Sequence, residues 1–347
     1  MSKKNTKRVS SKKKVRIAIN GFGRIGRAAF EVALSHKEIE IVAINDLTDT
    51  KTLSHLLTYD TVYGKFDREV KYDDSGIIVD RKRYQVLSVK DPKKLPWKKM
   101  KIDVVLECTG RFVKNESSKS HIDAGAKRVI ISAPSKGTGS VTTYVKGVND
   151  TSYDKKDKLI SNASCTTNCI SPIMRILSDA FGVEKAFMTT IHGYTSSQNL
   201  VDGPHKDLRR ARAAAQNIIP TTTGAAIATT KVLPDLGGKF DGIAMRVPVI
   251  DGSLSDFTVI TEKEVTVKKI NDTFKKASRN PIYKGVIDVT DVPIVSSDII
   301  GNSHSAIIDL NFTKVIGGNM VKILAWYDNE WGYANRLVEM AKVVSQN

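Results

Sequence analysis

The stretch VRIAINGFGRIGRAAF, residues 15–30, decides the fold. Its first six residues form a short apolar run rich in β-branched side chains, which is typical of a buried strand. Gly21, Gly23 and Gly26 follow in G-x-G-x-x-G spacing, and apolar residues then recur at helical spacing from Arg24 onward. A strand, a glycine-rich turn and a helix in this order indicate a dinucleotide-binding site. The sequence therefore predicts strand 15–20 and a pyrophosphate held at the start of the following helix.

Each glycine of this turn has a separate physical task. The first permits the tight turn, the second lets the backbone approach a pyrophosphate, and the third lets helix and strand pack closely. Free N–H groups at the helix start would bind the phosphates. Arg24 and Ile25 lie between the last two glycines, so we expect both to contact the cofactor as well.

An acidic residue follows the second predicted strand. The run IEIVAIN, 39–45, ends next to Asp46, which lies 20 residues beyond Gly26. A carboxylate there can accept hydrogen bonds from ribose hydroxyls and would repel a 2′-phosphate, so NAD is favoured over NADP. Asp46 could instead cap the helix that NDLTD opens, and the two roles are compatible.

Further apolar runs continue the alternation of strands and helices. Residues 103–110, 127–134 and 159–164 predict strands, and 115–126 predicts a helix capped by Asn115. This alternation favours an α/β, Rossmann-type, doubly wound parallel sheet. Thr109, Gly110 and Ser132 fall at the carboxyl ends of strands, where such a sheet holds its ligand, so we expect them to contact the cofactor. Cys108 lies inside an apolar strand and is predicted to be a packed thiol.

Cys165 lies at the junction of the strand 159–164 and an apolar helix. A helix start offers unpaired N–H groups and a partial positive charge, which lower a thiol pKa. Ser164, Thr166 and Thr167 are suitable capping residues whose hydroxyls could equally bind a phosphate. Cys169, one turn further, is predicted to pack. Cysteine and histidine spacing gives no convincing metal set, so no metal is expected.

A thiolate nucleophile needs a proton acceptor. Of the six histidines, His192 follows a predicted strand that returns after the cysteine helix, and it opens a polar loop. The strand end could therefore lie beside Cys165. The other five histidines are predicted to be surface, packing or loop residues.

Composition limits the class of protein. The 347 residues suit two domains, and three cysteines do not make a disulfide framework, so a reducing, cytoplasmic setting is expected. No apolar run is long enough to span a membrane, and no secretory signal is visible. The formal charge is +17, and residues 1–14 contribute seven Lys or Arg and no acid. This segment is predicted to be a disordered basic arm, which could contact nucleic acid but is more often only solvated.

The second half of the chain has a different pattern. Runs within 240–262 and 305–328 are strand-rich, 265–278 predicts a helix, and Gly317–Gly318 marks a hairpin. This pattern predicts an α+β domain on a largely antiparallel sheet.

The motifs INGFGRIGR, SNASCTTNC, PHKDLRRARAAAQNIIPTTTGAA, IAMRVP and WYDNEWGYANR, taken in order, resemble the glyceraldehyde-3-phosphate dehydrogenase family. The resemblance runs from about residue 15 to the C-terminus. It implies NAD-dependent, phosphorylating oxidation of glyceraldehyde 3-phosphate, with that aldehyde and inorganic phosphate as partners, in a homotetramer. It also implies an NAD-binding domain over 15–164, a catalytic domain over 165–331, and a helix at 332–347 that packs back on the first domain.

The resemblance assigns roles to matching residues. Cys165 is similar to the family's nucleophile, and His192 to its base. Asn329 resembles the group that orients the nicotinamide carboxamide, and Tyr333 resembles its neighbour. Thr195 and Arg246 are similar to residues that hold the substrate's phosphate. The site for the attacking phosphate is matched by Ser164, Thr166, Arg210, Thr223 and Gly224.

Some features leave alternatives open. Arg246 could be a surface arginine, Thr223 a helix cap and Asn329 a turn residue. Leu47 and the segment YDTVYG, 59–64, depart from common family patterns, whereas DGPH, 202–205, resembles NAD-using members. Erythrose-4-phosphate dehydrogenase is the alternative enzyme. Nucleic-acid binding by residues 1–14 is the alternative from a different class.

Overall fold

The structure is a computed structural model that describes residues 13–137 and 141–346. The predicted basic arm, 1–14, therefore lies outside the described residues except for its last two lysines. Every helix in the described ranges is too short or too polar to cross a lipid bilayer.

The strands of the first half of the chain follow one another in short succession. They are β1 (Val15–Asn20), β2 (Ile39–Asn45), β3 (Tyr59–Asp60), β4 (Gly64–Lys65), β5 (Val70–Asp73), β6 (Gly76–Val79), β7 (Lys82–Leu87), β8 (Val104–Glu107), β9 (Arg128–Ile131), β10 (Thr142–Thr143) and β11 (Leu159–Ser161). Strands β3 and β4 form a small ladder of their own. The others form a sheet in the order β10-β11-β9-β8-β1-β2-β7-β6-β5.

The strands of the second half form a separate sheet. They are β12 (Lys185–Gly193), β13 (Ile219–Thr222), β14 (Phe240–Val247), β15 (Ser253–Ile260), β16 (Ile287–Thr290), β17 (Ala306–Ile316) and β18 (Met320–Tyr327). Their order is β13-β14-β12-β15-β18-β17-β16. We call β1–β11 with their helices the N-terminal unit, and β12–β18 with theirs the C-terminal unit.

The α-helices are placed between and after these strands. They are α1 (Arg24–Ser35), α2 (Thr50–Thr58), α3 (Trp97–Met100), α4 (Asn115–Asp123), α5 (Cys165–Phe181), α6 (Ala225–Val232), α7 (Val267–Ser278) and α8 (Trp331–Gln346).

The predicted fold class is confirmed. From β10 to β7 every pairing in the first sheet is parallel, and only β6 and β5 are antiparallel additions. In the second sheet only the pairs β12–β14 and β16–β17 are parallel. The hairpin predicted at Gly317–Gly318 joins β17 to β18, with both glycines at positive φ.

Some element boundaries differ from the predictions. The strands expected over 103–110, 127–134 and 159–164 end earlier, at Glu107, Ile131 and Ser161. After each of them the backbone leaves the ladder to build the loops of the site, with positive φ at Gly110 and Ala163. Helix α4 has Lys114 at its N-cap position, one residue before the predicted cap, and this side chain makes no capping hydrogen bond.

The last helix joins the N-terminal unit. Leu337 and Val338 of α8 are fully buried in one apolar cluster with Ile17 of β1 and Phe30 of α1. Helix α5, in contrast, contributes its apolar face to the cluster under the second sheet. The domain boundaries 15–164 and 165–331 stay predictions, although the two sheets divide the chain between β11 and β12.

Candidate active site

The glycine-rich turn joins β1 to α1 through close backbone contacts at Gly21 and Gly26. Gly21 has φ +92°, and its N–H donates to the carbonyl of Asn45 over 2.8 Å. A Cβ on Gly26 would lie 2.0 Å from the carbonyl oxygen of Gly21, so the third glycine is needed for the helix to pack on the strand. A Cβ on Gly23 would meet no heavy atom within 4 Å. Gly23 therefore borders open space into which a phosphate can approach the backbone.

The start of α1 leaves its donors available. Gly23 is the N-cap and offers no side-chain hydrogen bond to the first turn, so backbone N–H groups remain for an anion. The guanidinium of Arg24 contacts both carboxylate oxygens of Glu330 and, over 2.5 Å, Asp60. Ile25 is half-buried against the N-terminal core. Contacts of these two side chains with a cofactor stay predictions.

Asp46 closes the adenosine end of the predicted site. One carboxylate oxygen accepts from the Phe22 N–H over 2.7 Å, and the other accepts from the Thr48 N–H over 2.9 Å. The alternative role as a helix cap is wrong, because Asp49 caps α2 through the Thr52 N–H. The carboxylate of Asp46 lines a cleft of about 600 Å³ together with the glycine-rich turn and the loop after β8.

The loops after β8 and β9 border the same sheet edge. Thr109 donates its N–H and its hydroxyl to the carboxylate of Glu107, whose side chain is fully buried. These contacts fix Thr109 at the wall of the cleft, with Gly110 exposed beside it. Ser132 follows β9 directly and is half-buried.

Cys165 is the first residue of α5. Ser164 caps the helix by accepting from the Thr167 N–H over 3.1 Å. Ala163, just before the cap, is fully buried with φ 55°, a conformation that costs free energy in a residue with a Cβ. The carbonyl of Ala163 accepts from the buried Tyr333 hydroxyl over 3.1 Å. Tyr333 of α8 thus stabilises the turn that precedes Cys165.

The predicted base lies beside the thiol. His192 Nε2 is 3.4 Å from Cys165 Sγ. His192 and Arg246 are register partners on the parallel strands β12 and β14, and His192 Nδ1 is 2.7 Å from both the Gly193 carbonyl and an Arg246 nitrogen. The carbonyl only accepts and the guanidinium only donates, so the two contacts select opposite tautomers of the ring. When Nδ1–H donates to the carbonyl, Nε2 can accept the thiol proton.

Burial dominates the protonation of this pair. Desolvation lowers the pKa of His192 to about 3, and the positive charge of Arg246 acts in the same direction. Desolvation also raises the pKa of the Cys165 thiol, although the charge of Arg246 and hydrogen bonds from Thr166 oppose it. The expectation of a thiol pKa lowered by the helix start therefore does not hold here. Both shifts favour the neutral forms of the thiol and the imidazole.

Part of the predicted phosphate site lies on the segment from Arg210 to Gly224. Arg210 donates from Nε to the Thr221 hydroxyl over 3.0 Å and from a terminal nitrogen to the Thr222 carbonyl. Thr223 and Gly224 continue this segment. Gly224 is the N-cap of α6, and the Thr223 hydroxyl accepts from the Ala225 N–H over 3.2 Å. The positive charge of Arg210 also acts to lower the pKa of His192.

Of the remaining members, two adjoin Cys165 in the chain and two come from later segments. Thr166 is the residue after Cys165 and is buried, and Ser164 is half-buried. Thr195 lies just beyond the end of β12, where its hydroxyl contacts Ser197 over 2.9 Å. Arg246 is half-buried rather than a surface residue, so the surface alternative is wrong.

Asn329 is locked by a residue that the sequence did not single out. Its Oδ1 accepts from the Ser253 hydroxyl over 2.6 Å, and that hydroxyl accepts from the Gly193 N–H over 3.2 Å. With Oδ1 so used, the amide nitrogen is the donor left for a ligand. Asn329 is 5% exposed, which argues against a simple turn residue.

Tyr327 was also missed. Its hydroxyl contacts Thr166 over 2.9 Å and Thr190 over 2.8 Å, and its ring meets His192 edge-on. It lies within WYDNEWGY, but its partners are more than 130 positions away. Short-range patterns contain no signal for such pairings.

Two family models match the chain. Residues 15–115 match the NAD binding domain of glyceraldehyde 3-phosphate dehydrogenase, and residues 164–329 match its C-terminal domain. The chain belongs to the glyceraldehyde-3-phosphate dehydrogenase family. The match over 15–115 contains the glycine-rich turn, Asp46 and Thr109, and it confirms NAD as the cofactor. The match over 164–329 contains Cys165 and His192.

Curated relatives agree over nearly the whole chain. A glyceraldehyde-3-phosphate dehydrogenase of Streptomyces coelicolor is 52% identical over 332 residues, which are 95% of this chain and 98% of the relative. Glyceraldehyde-3-phosphate dehydrogenase 2 of Bacillus subtilis is 48% identical over 96% of this chain and 97% of its own length. The Borreliella burgdorferi glyceraldehyde-3-phosphate dehydrogenase is 51% identical over 94% and 99%.

Proposed function

We propose that the chain catalyses the NAD-dependent, phosphorylating oxidation of D-glyceraldehyde 3-phosphate to 1,3-bisphosphoglycerate. The observation that carries the proposal is the 3.4 Å separation of Cys165 Sγ and His192 Nε2 at the start of α5, in a chain of this family. The comparisons favour this enzyme over erythrose-4-phosphate dehydrogenase and over a nucleic-acid-binding role.

The residues around the glycine-rich turn fit NAD. Open space at Gly23, an uncapped α1 and a cleft beside Asp46 offer the groups that pyrophosphate and ribose need. Thr109, Gly110 and Ser132 would border the dinucleotide, and Asn329 would donate to its carboxamide. When bound, NAD supplies the ring carbon that accepts hydride.

The first step joins the thiol to the aldehyde. His192 Nε2 accepts the Cys165 proton as sulfur bonds to the carbonyl carbon, and it returns that proton to the carbonyl oxygen, which gives a hemithioacetal. His192 then withdraws the hydroxyl proton of this adduct while hydride departs, which leaves a thioester. General base assistance of this kind is worth about 10²–10⁴-fold. Inorganic phosphate attacks the thioester and the acyl–sulfur bond breaks. The sulfur leaves as a thiolate and takes back the proton that His192 holds, which regenerates the thiol and the neutral imidazole.

Two anion subsites would serve this sequence of steps. Arg246 and Thr195 would hold the substrate's own phosphate. Arg210, Ser164, Thr166, Thr223 and Gly224 would hold the attacking phosphate. Arginine suits both because its planar fork donates two aligned hydrogen bonds.

Substrate binding would also prepare the base. A phosphate that engages Arg246 draws its N–H away from His192 Nδ1, so the ring keeps the tautomer whose Nδ1–H donates to the Gly193 carbonyl. Nε2 is then the acceptor for the thiol proton.

An assay of NADH formation tests the proposed function. Glyceraldehyde 3-phosphate with NAD should give NADH at a high rate only when phosphate is present, and NADP should be a poor substitute. Erythrose 4-phosphate serves as the competing aldehyde. Faster, phosphate-independent oxidation of erythrose 4-phosphate would contradict the proposal and favour the alternative enzyme.

We further propose a homotetramer in the cytoplasm. Large apolar side chains are exposed on the loop 193–217 and just after it, at Leu200, Val201, Leu208 and Ile218, and such exposure is typical of an interface. Cys108, Cys165 and Cys169 are all free thiols, which suits a reducing compartment. Light scattering should give four times the chain mass, and a monomer would contradict the assembly.

A further inference from the structure

Two buried aspartates meet one tyrosine hydroxyl behind Asn329. Asp251 is 2% exposed and Asp328 is 1% exposed. Tyr63 Oη is 3.0 Å from Asp251 Oδ2, and 3.0 Å and 3.2 Å from the two oxygens of Asp328. We call Tyr63, Asp251 and Asp328 the carboxyl cluster. It has no part in the steps described above.

The hydrogen bonds that Asp328 accepts indicate that it is the ionised aspartate of the carboxyl cluster. Its oxygens accept from the backbone N–H groups of Gly301 over 2.7 Å, Glu330 over 2.9 Å and Trp331 over 2.6 Å. Such donors favour a carboxylate over a carboxylic acid. The Tyr63 hydroxyl has one hydrogen, and Asp328 is the charged acceptor beside it.

Asp251 then needs a proton of its own. If Tyr63 donates to Asp328, the 3.0 Å contact with Asp251 would set two oxygen lone pairs against each other unless Asp251 is the donor. Asp251 Oδ1 is buried and has no hydrogen-bond partner in the described part of the chain. A buried carboxylate with an unpaired oxygen is costly, whereas a neutral carboxylic acid is tolerated.

The charges around Asp251 act in the same direction. Asp328 and Glu330 face it as anions. Arg24 lies over the Tyr63 ring but is bound by Glu330 and Asp60. Within residues 13–137 and 141–346, no Lys, Arg or His lies within ion-pair distance of Asp251. Desolvation, with the charges of Asp328 and Glu330, raises the pKa of Asp251 to about 8.

The carboxyl cluster lies next to the residues proposed to hold the nicotinamide, just before β15 and just after β18. Asp251 precedes Ser253 by two residues, and Asp328 precedes Asn329 by one, so the cluster flanks the 2.6 Å Ser253–Asn329 hydrogen bond. Gly252, between Asp251 and Ser253, has φ +86°, and a Cβ there would lie 2.3 Å from the Ser296 carbonyl oxygen. This backbone cannot readily absorb a shift of Asp251. Tyr63 comes from the N-terminal unit, so the cluster also joins the two units.

We propose that Asp251 works as a neutral carboxylic acid that positions Asn329. The proton on Asp251 holds Tyr63 and Asp328 together. Loss of this proton displaces the Ser253–Asn329 pair and weakens NAD binding. The inference rests on the proposed function, because it gives Asn329 the task of orienting the nicotinamide. Asp251 is a positioning residue, since it acts through Ser253 and Asn329.

The test compares NAD affinity across pH in the full-length enzyme. Calorimetric titration of the wild type should show affinity falling by up to about 30-fold as pH rises from about 7 to about 9.5, the limit when only the form with protonated Asp251 binds. The Asp251→Asn variant keeps a neutral donor, so it should match the wild type at pH 7 and show little of this fall. The matched control Asp241→Asn changes an exposed carboxylate on β14 and should leave the wild-type fall intact.

A second measurement needs no stable variant. The infrared spectrum of the wild type should contain the C=O band of a protonated carboxylic acid at pH 7 that disappears by about pH 9.5. The band should be weaker in the Asp251→Asn variant, and the wild-type minus variant difference spectrum should contain the Asp251 contribution, apart from that of Glu31. Absence of the band in the wild type, or an equal fall of NAD affinity in Asp251→Asn, would overturn the inference. Neither measurement uses aldehyde oxidation, so failure of the proposed function would show separately, in the NADH assay.

Discussion

At the residue scale, neighbouring groups determine the position and protonation of Cys165 and His192. Cys165 and His192 are 27 positions apart and meet because α5 and β12 run in opposite directions. Desolvation raises the pKa of the Cys165 thiol and lowers that of His192, and Arg246 supplies the nearby positive charge. These shifts favour a neutral pair over a preformed ion pair when no substrate is bound.

Replacing Cys165 by Ser should abolish NADH formation, because a hydroxyl beside a weakly basic imidazole is a poor nucleophile. NAD binding, measured by calorimetry, should survive. Cys169→Ser is the control, since that thiol is buried in the core and should affect stability more than turnover. Normal turnover by Cys165→Ser would remove the nucleophile assignment.

His192→Asn should slow hydride transfer by about 10²–10⁴-fold, because no group then accepts the thiol and hydroxyl protons. Stopped-flow measurement of the first turnover checks this. The control His55→Asn changes an exposed histidine on α2 and should behave as wild type. An unchanged rate and pH profile in His192→Asn would exclude the role of base.

The buried imidazole also predicts a pH dependence of stability. The pKa of His192 falls to about 3 on folding, so the unfolded chain binds a proton that the folded chain excludes. Its contribution to stability is present above about pH 6.5 and is lost toward pH 3, by up to about 1.4 kcal/mol per pH unit. Urea unfolding of His192→Asn should show a shallower loss between pH 6.5 and 4, and an identical slope would contradict the assignment.

At the element scale, different glycines of the glycine-rich turn serve helix packing and the proposed pyrophosphate binding. Gly26 packs closely on the backbone of Gly21, just after β1, whereas Gly23 borders open space. The strand–turn–helix pattern of 15–30 was predictable because its periodicities and glycine spacing are local. The ends of β8, β9 and β11 were not, because they depend on where the backbone turns toward the site.

Alanine at these two glycines should separate the two effects. Gly26→Ala places a Cβ 2.0 Å from the Gly21 carbonyl oxygen and should lose about 3 kcal/mol or more of unfolding free energy, along with NAD binding. Gly23→Ala should unfold like the wild type and still bind NAD more weakly. Thermal unfolding and calorimetric titration check both, and normal NAD affinity in Gly23→Ala would place the pyrophosphate elsewhere.

At the scale of the whole molecule, the candidate active site combines residues from both units. The glycine-rich turn reaches the end of β18 through Arg24 and Glu330, which are 306 positions apart. The carboxyl cluster joins Tyr63 to residues 188 and 265 positions further on. The sequence predicted the thiol, the base and the dinucleotide turn, because local patterns and the family resemblance contain them. It did not predict Ser253, Tyr327 or Asp251, because their roles arise only from long-range pairing.

The C-terminal helix should stabilise the N-terminal unit. Leu337 of α8 is fully buried against the first sheet, so Leu337→Ala should lower the free energy of unfolding by about 2–5 kcal/mol. Ile227→Ala, which changes an exposed residue on α6, is the control. Equal stability of the two variants in urea would contradict the packing of α8 on the N-terminal unit.

The most direct test of the central claim is mass spectrometry of the acyl-enzyme. Wild-type protein mixed with glyceraldehyde 3-phosphate and NAD, without phosphate, should carry one phosphoglyceroyl group on the peptide that contains Cys165. Addition of phosphate should remove the group and release 1,3-bisphosphoglycerate. An adduct on another residue, or NADH formation with no acylated intermediate, would contradict the account.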